Sequence, residues 1–351
     1  MEIKQLLSHF AIDGDFVSAK QFGNGHINQT YLVTTTKDRY IFQFINHTVF
    51  PNVDMVMNNI YLVTNHLQQK GEPTLSMVPC HNGLTFYRVG EDFLRGYRYV
   101  GNSLTYEKLP NLEMVEEAAR GFGRFHQALS DIDVSQIGDV IPFFHDTKKR
   151  FNDFLTIYKE NKVDRIPSCR EECEFILSRV NDYSILVDAL KDGSIHPAIT
   201  HNDPKINNIA FDKTTNKVSC VLDLDTVMKG TFLYDFGDAL RSLFTGDNED
   251  SEDTSLLRAD LDIYEAYLRG YYSMMKDVIN EKEKELLPYA VLVITEELAM
   301  RFLGDYLAGD VYFGAKYQTH NLVRARTQIA LAQDILARMD ELQAITKKIC
   351  Q

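Results

Sequence analysis

His201-Asn202-Asp203-Pro204-Lys205-Ile206-Asn207-Asn208 is followed, one short apolar run and a turn later, by Val221-Leu222-Asp223-Leu224-Asp225. The spacing is H-x-D-x-K-x-x-N, then an acid at the end of a second apolar run. Phosphoryl transfer needs these groups. One carboxylate takes the proton of an attacking hydroxyl, while an amide and a second carboxylate hold a divalent metal on the nucleotide phosphates. Asp203 is the candidate catalytic base, and Asn208 and Asp223 are the candidate metal ligands. Short strands are expected around Ile199, at 209–211 and at 218–222, and a hairpin between the last two returns Asp223 to the edge where Asn208 lies. Taken alone, Asp203 reads as a loop aspartate capping a turn; the set of three carries the reading.

The neighbours of these residues are read less sharply. Lys205 would place an ammonium on the transferring phosphate or be an exposed loop lysine, with equal weight. His201 reads as a structural hydrogen-bonding residue beneath the loop. Asp225 reads as a metal or substrate group, or as a residue that orients the loop. Asp235-Phe236-Gly237 spells a kinase tripeptide that carries a metal-binding acid, but it stands twelve residues past Asp223 and opens an expected helix over 234–244. Asp235 is therefore read as a helix N-terminal acid or a buried anchor of the catalytic loop.

Toward the N-terminus, a short helix over 3–11 precedes β-rich patterning. Strands are expected at 16–22 and 27–34, around Gly23-Asn24-Gly25, and at 39–45. Helical spacing covers 54–68, and 85–89 and 93–100 form a hairpin across Gly90-Glu91-Asp92. The order β-β-β-α-β-β is that of a small nucleotide-binding lobe. Gly23 and Gly25 let backbone N–H groups approach phosphates, although a plain hairpin turn is the default. His26 and Asn28 are read as facing the cleft. Gln43, Tyr97 and Tyr99 complete the candidate nucleotide contacts. The lobes are placed at 1–101 and 102–351, the second carrying catalysis and acceptor binding. Helices are expected there at 112–129, 144–158, 170–190, 256–275, 281–307 and 321–347, with Pro288 starting or bending a helix rather than sitting in its middle.

The chain of 351 residues is 44% hydrophobic with formal net charge -13. That balance disfavours DNA, RNA and anionic membrane partners. The acidic run 247–253 reads as a solvated connector. Five scattered cysteines read as reduced thiols, and the first residues lack the apolar core of a signal peptide. The expectation is a soluble cytoplasmic enzyme.

Gly-Asn-Gly-His-Ile-Asn-Gln-Thr-Tyr (23–31), Tyr-Ile-Phe-Gln-Phe-Ile-Asn (40–46), Phe-His-Asp-Thr (144–147), Thr-His-Asn-Asp-Pro-Lys-Ile-Asn-Asn (200–208), Leu-Asp-Leu-Asp-Thr (222–226) and 301–313 carry a resemblance. The chain resembles the aminoglycoside phosphotransferase and choline kinase superfamily, and within it the N-acetylhexosamine 1-kinases. The resemblance implies an α+β, bilobal, protein-kinase-like fold. It implies ATP as co-substrate, Mg²⁺ as cofactor, and transfer to the anomeric hydroxyl of GlcNAc or GalNAc. Asp203 then resembles the base and Asn208 and Asp223 the Mg²⁺ ligands, while His26, Asp203, Asp225, Arg301 and Tyr312 fall where the sugar would be held. A rival role for Arg301 is an intrahelical ion pair with Asp305.

Two departures stand out. Gln43 occupies the position where kinases usually carry a phosphate-binding lysine, and no glutamate lies between Asp54 and Gln68 to pair with one. Asn202 stands where relatives often have glycine. The alternatives are a kinase of choline, an aminoglycoside, homoserine or a methylthio-sugar, and a catalytically inactive nucleotide-binding protein.

Overall fold

The structure is a computed structural model that describes residues 3–23 and 28–351. Gly25 and His26 lie outside the described residues. The chain divides into two compact units. One holds Met1–Thr105, Asp131–Ile141 and Ile209–Met228, and the other Tyr106–Ser130, Pro142–Asn208 and Lys229–Gln351.

The first unit is built on an antiparallel sheet. Arg39–Ile45 lies between Gln29–Thr35 and Asp92–Arg98, with Phe16–Gln21 outside the former. The far edge of Asp92–Arg98 is shared by Met77–Val78 and Phe86–Val89. Period-two alternation puts Val33, Tyr40, Phe42 and Leu94 on one face, where they close over Leu6, Leu7 and Phe10. Each such side chain contributes roughly 1.5–3 kcal/mol on full burial. The hairpin at 86–98 turns on Gly90-Glu91, and Gly90 supplies the positive φ (64°) that a two-residue turn demands. The helix Val53–Gln69 starts where the Asn52 side chain accepts the Met55 N–H at 3.0 Å. Its buried Asn59 donates to the Val227 and Gly138 carbonyls at 2.9 and 2.8 Å, tying 131–141 and 209–228 to the same unit.

The antiparallel hairpin Ile209–Asp212 and Val218–Val221 pairs Ile209 with Val221. Asp223 therefore follows the strand end opposite the residue at which the chain arrives from Asn208. Ser103–Leu104 adds a third strand.

The second unit is mainly helical. Leu112–Leu129, Phe232–Thr245, Leu261–Met275 and Glu281–Ala308 surround a core of Ala119, Phe236, Tyr264, Tyr267, Tyr271, Leu287 and Val291. Gly237 is required there, because a Cβ would lie 2.4 Å from the Ala290 carbonyl oxygen. Among the described residues no helix is long and apolar enough to cross a membrane.

The α+β expectation is met, with four local differences. Residues 170–190 are two helices, Arg170–Ser178 and Ile185–Asp192. Asn181 and Asp182 favour a turn over helix interior, and the Tyr183 hydroxyl donates back to the Ile176 carbonyl at 3.0 Å. The last helix breaks into His320–Ala337 and Met339–Ile349, where Asp334 takes the Arg338 Nε–H at 3.0 Å. Leu261–Met275 starts late because the Asp260 side chain caps it. Pro288 lies inside Glu281–Ala308 after all. A capping box at Asn280 and Glu283 fixes the helix start, and burial on nearly every side offsets one missing hydrogen bond. The acidic run is also less solvated than expected, since Asp250 meets Arg324 Nε at 2.7 Å and Lys316 Nζ at 3.0 Å.

One buried acid makes stability depend on pH. Burial, then the nearby Asp182, pushes Glu296 up to about 8, against the pull of Arg179 Nε at 2.8 Å. Its folded-state value lies above its unfolded value, so the stability it contributes is full below the unfolded value near 4.5 and is lost as pH rises toward 8. Thermal melts of Glu296→Gln between pH 5 and 8 should be flatter than wild type, by on the order of a few kcal/mol across the range. Parallel curves would remove Glu296 as the cause.

Candidate active site

The loop 201–208 belongs to the second unit and hangs from one buried carboxylate. Asp235 Oδ2 and Oδ1 accept the backbone N–H groups of His201 and Asn202 at 2.6 and 2.7 Å, and His126 Nε2 lies 2.7 Å from Oδ2. Burial works against this charge, but the bond from His126 and the field of His126 and His201 hold Asp235 below the usual carboxylate range. Its ordered neighbours confirm the anchoring role read from its place in the first turn of Phe232–Thr245. His201 is fully buried against Phe122 and Phe125, and its Nδ1 accepts the Asp203 N–H at 3.2 Å. Asn202 adopts φ 63°, a left-handed conformation that glycine takes freely and asparagine tolerates best among side-chain-bearing residues.

The loop then presents its polar side chains together. Asp203 Oδ1 meets Lys205 Nζ at 2.9 Å, and Asn208 Nδ2 donates to the Asp203 carbonyl at 2.8 Å and to Oδ2 at 3.3 Å. The Asp203 carboxylate raises the Lys205 pKa. Asn208 thus spends its amide N–H₂ on Asp203. Lys205 is half-exposed and held at Asp203.

The second acidic loop belongs to the first unit. Asp223 is exposed and takes φ 52° at the start of the turn Leu224–Thr226. Asp225 is buried. Its Oδ1 accepts from Arg95 Nη1 and its Oδ2 accepts from Asn28 Nδ2 at 2.7 Å. Burial lowers the Arg95 pKa, but Asp225 outweighs it and the guanidinium stays charged. Arg95 Nε and Nη2 donate to Gln43 Oε1 at 3.1 and 2.9 Å, and Gln43 Nε2 donates to Thr30 Oγ1 at 3.1 Å. Asn208, in the second unit, and Asp223, in the first, each carry a hard oxygen of the type that Mg²⁺ accepts, so each by its own chemistry fits that ion.

Of the candidate nucleotide contacts, Gly23 is exposed at φ 77°. Tyr97 is buried, with the Arg95 guanidinium 5.4 Å from its ring. Burial raises its pKa well above the ordinary phenol value. Tyr99 carries the Arg39 guanidinium over its ring at 4.3 Å.

Arg301 and Tyr312 line one cavity of about 200 Å³ in the second unit, with Arg150, Phe154, Met300 and Phe313. The Arg301 guanidinium sits 5.0 Å from the Phe144 ring and 5.4 Å from the Phe313 ring, and its carboxylate neighbour is Glu297 at 3.6 Å. The rival pairing with Asp305 is not formed. Asp305 instead accepts the N–H groups of Val311, Tyr312 and Phe313 at 2.9, 2.8 and 3.0 Å, which fixes the loop carrying Tyr312. Tyr312 is 65% exposed, so its ring is open to a ligand. Glu297 in turn lies 3.0 Å from His145 Nδ1.

Sequence reading missed Arg95 and Arg150. The signal for Arg95 was there: a cation inside the apolar strand Phe93-Leu94-Arg95-Gly96-Tyr97 has to be paired. Arg150 gave no such signal, standing among the charged residues of an exposed-looking helix start.

Residues 18–271 match the family described as Phosphotransferase enzyme family, and the chain belongs to it. It is similar to an aminoglycoside phosphotransferase from Alicyclobacillus acidocaldarius, with TM-score 0.67 and 16% identity over 99% of this chain and 97% of that one. It is also similar to a microcompartment-associated aminopropanol kinase, with TM-score 0.65 and 14% identity over 97% and 98% of the two chains. A choline kinase from Cryptosporidium parvum gives TM-score 0.62 and 14% identity over 99% and 98%. At these identities the likeness to the three structures is one of fold. The expected superfamily and its kinase-like fold are thus met.

Proposed function

We propose that the protein is an ATP-dependent small-molecule kinase that phosphorylates the anomeric hydroxyl of N-acetylhexosamines. The observation that carries the kinase reading is the Asp203 carboxylate, held between Lys205 Nζ and Asn208 Nδ2 on a loop suspended from Asp235. Asp203 aligns the acceptor hydroxyl and takes its proton late in transfer, as the bond from the acceptor oxygen to the γ-phosphorus forms and the bond to the β-phosphate oxygen breaks, releasing ADP. Lys205 follows the charge onto the transferring group. Asn208 and Asp223 supply oxygens for Mg²⁺, which when bound neutralises phosphate charge.

The acceptor assignment draws on the Arg301 cavity. A guanidinium flanked by two rings is a fixed, charged donor suited to a hydroxyl or acetamide oxygen. The open Tyr312 ring offers an apolar face to a sugar ring. A quaternary or primary ammonium acceptor gains nothing from Arg301 and Arg150, whose charges already disfavour each other: burial and then Arg301 lower the Arg150 pKa.

The test is ADP release with Mg²⁺ and ATP, comparing free N-acetylhexosamines with their 1-O-methyl glycosides. Turnover is expected with the free sugars and none with the glycosides, which lack the nucleophile. Equal turnover of both would sink the anomeric assignment, and turnover of choline or aminoglycosides alone would replace the acceptor class.

A further inference from the structure

The position that kinases give to a strand lysine is Gln43 here, and no glutamate of Val53–Gln69 stands ready to pair with a lysine. The structure shows where a cation has gone. Thr30, Gln43 and Arg95 stand directly across from one another on three adjacent strands, so their side chains share one face. Arg95 is the largest fully buried side chain of the described residues. Its Nε and Nη2 hold Gln43, its Nη1 holds Asp225, and Met57 Sδ lies 3.9 Å from Nη1. A lysine at 43 would set a second cation against this guanidinium, whereas the Gln43 amide oxygen accepts from it and the amide N–H₂ passes the network on to Thr30.

The other end of the network is the acidic turn. Asp223 and Asp225 are two residues apart, and Arg95 feels the charge of both. Asp225 has both oxygens engaged, one by Arg95 and one by Asn28, whose own Oδ1 accepts the Asn46 N–H at 3.0 Å. A carboxylate clamped this way fixes the turn Leu224–Thr226 and the left-handed backbone of Asp223 at its start.

We propose that Arg95 is a positioning residue for the metal-binding acid: from a strand next to the usual lysine position, it neutralises and clamps Asp225, and so sets the Asp223 carboxylate for the metal. This rests on the kinase reading with Asp223 as ligand. Arg95 is too deeply buried to touch nucleotide, so it acts through Asp225. The missing lysine then marks a relocated buried cation rather than a dead site.

The test uses Mn²⁺ as probe, read by water-proton relaxation in the presence of a non-hydrolysable ATP analogue, with thermal melts as the fold check. Removing one partner of a buried pair strands the other, so the main variant is the double neutral exchange Arg95→Gln with Asp225→Asn. It should stay folded and bind Mn²⁺ about tenfold or more weakly, the loss typical of removing a group that orients a ligand. In activity assays its Mg²⁺ requirement should rise by a similar factor. Arg95→Lys keeps the charge without the fork and should fall between the double variant and wild type. Wild-type Mn²⁺ binding in either variant, folded, would overturn the inference alone. Absence of metal-dependent nucleotide binding in the wild-type protein would overturn the kinase reading and this inference with it.

Discussion

Asp203→Asn should lower the phosphoryl-transfer rate by about 10²–10⁴-fold, the usual worth of a positioned general base. The exchange keeps the shape of the side chain and removes its charge. Asn208 Nδ2 and Lys205 Nζ then face an amide that neither takes a proton nor draws Lys205 to it, while the loop's suspension from Asp235 is untouched. Because the Asp203–Lys205 pair is partly exposed, its contribution to stability is small, and the melting temperature should hold. Nucleotide binding should also hold, since the proposed base role has Asp203 act on the acceptor. The measurement pairs ADP release at saturating ATP and acceptor with a nucleotide titration. Near-normal turnover would take the base role away from Asp203.

Asp235→Ala should have the largest effect on the fold. Its carboxylate satisfies two backbone N–H groups and His126, all buried. Removing it strands those donors and costs roughly 3–5 kcal/mol, a fall in Tm on the order of 10 °C. Asp235→Asn should fall between, since one amide oxygen can accept while its N–H₂ group opposes a backbone donor. The outcome separates two roles for Asp235-Phe236-Gly237. An anchor loses stability in both variants, with the Mg²⁺ dependence of the surviving activity unchanged. A metal-binding acid would keep its Tm and shift its Mg²⁺ dependence, and that result would reassign Asp235.

Much of the fold was legible because it rests on local patterns. Arg39–Ile45 matches its alternation to the residue, Val53–Gln69 its helical spacing, and the turn at Gly90 its chemistry. Legibility failed where tertiary packing outweighed local preference, as at Pro288 inside a buried helix. It failed also where a side-chain cap sets a boundary, as at Asp260.

The candidate site was legible in its residue types but not in its connections. The His201 and Asp235 readings fit the structure because burial beside a polar loop dictates bonding. Spacing left Asp225 open between a metal or substrate group and a residue that orients the loop, and it could not show the partners of its two oxygens, Arg95 and Asn28, 130 and 197 residues away in the chain. Spacing likewise allowed Arg301 to pair with Asp305. The N–H groups of 311–313 claim that carboxylate, leaving Arg301 between two rings. Gln43 looked like a defect because its partner across the sheet cannot be seen along the chain.

The most direct test of the account follows the phosphorus atom. The protein is incubated with Mg²⁺, ATP and an N-acetylhexosamine, and the products are read by phosphorus NMR and mass. The account predicts one phosphoryl group on the anomeric oxygen for each ADP formed. ADP without a phosphorylated acceptor, or no ADP with any sugar or amino-alcohol acceptor from a protein that binds nucleotide, would contradict it.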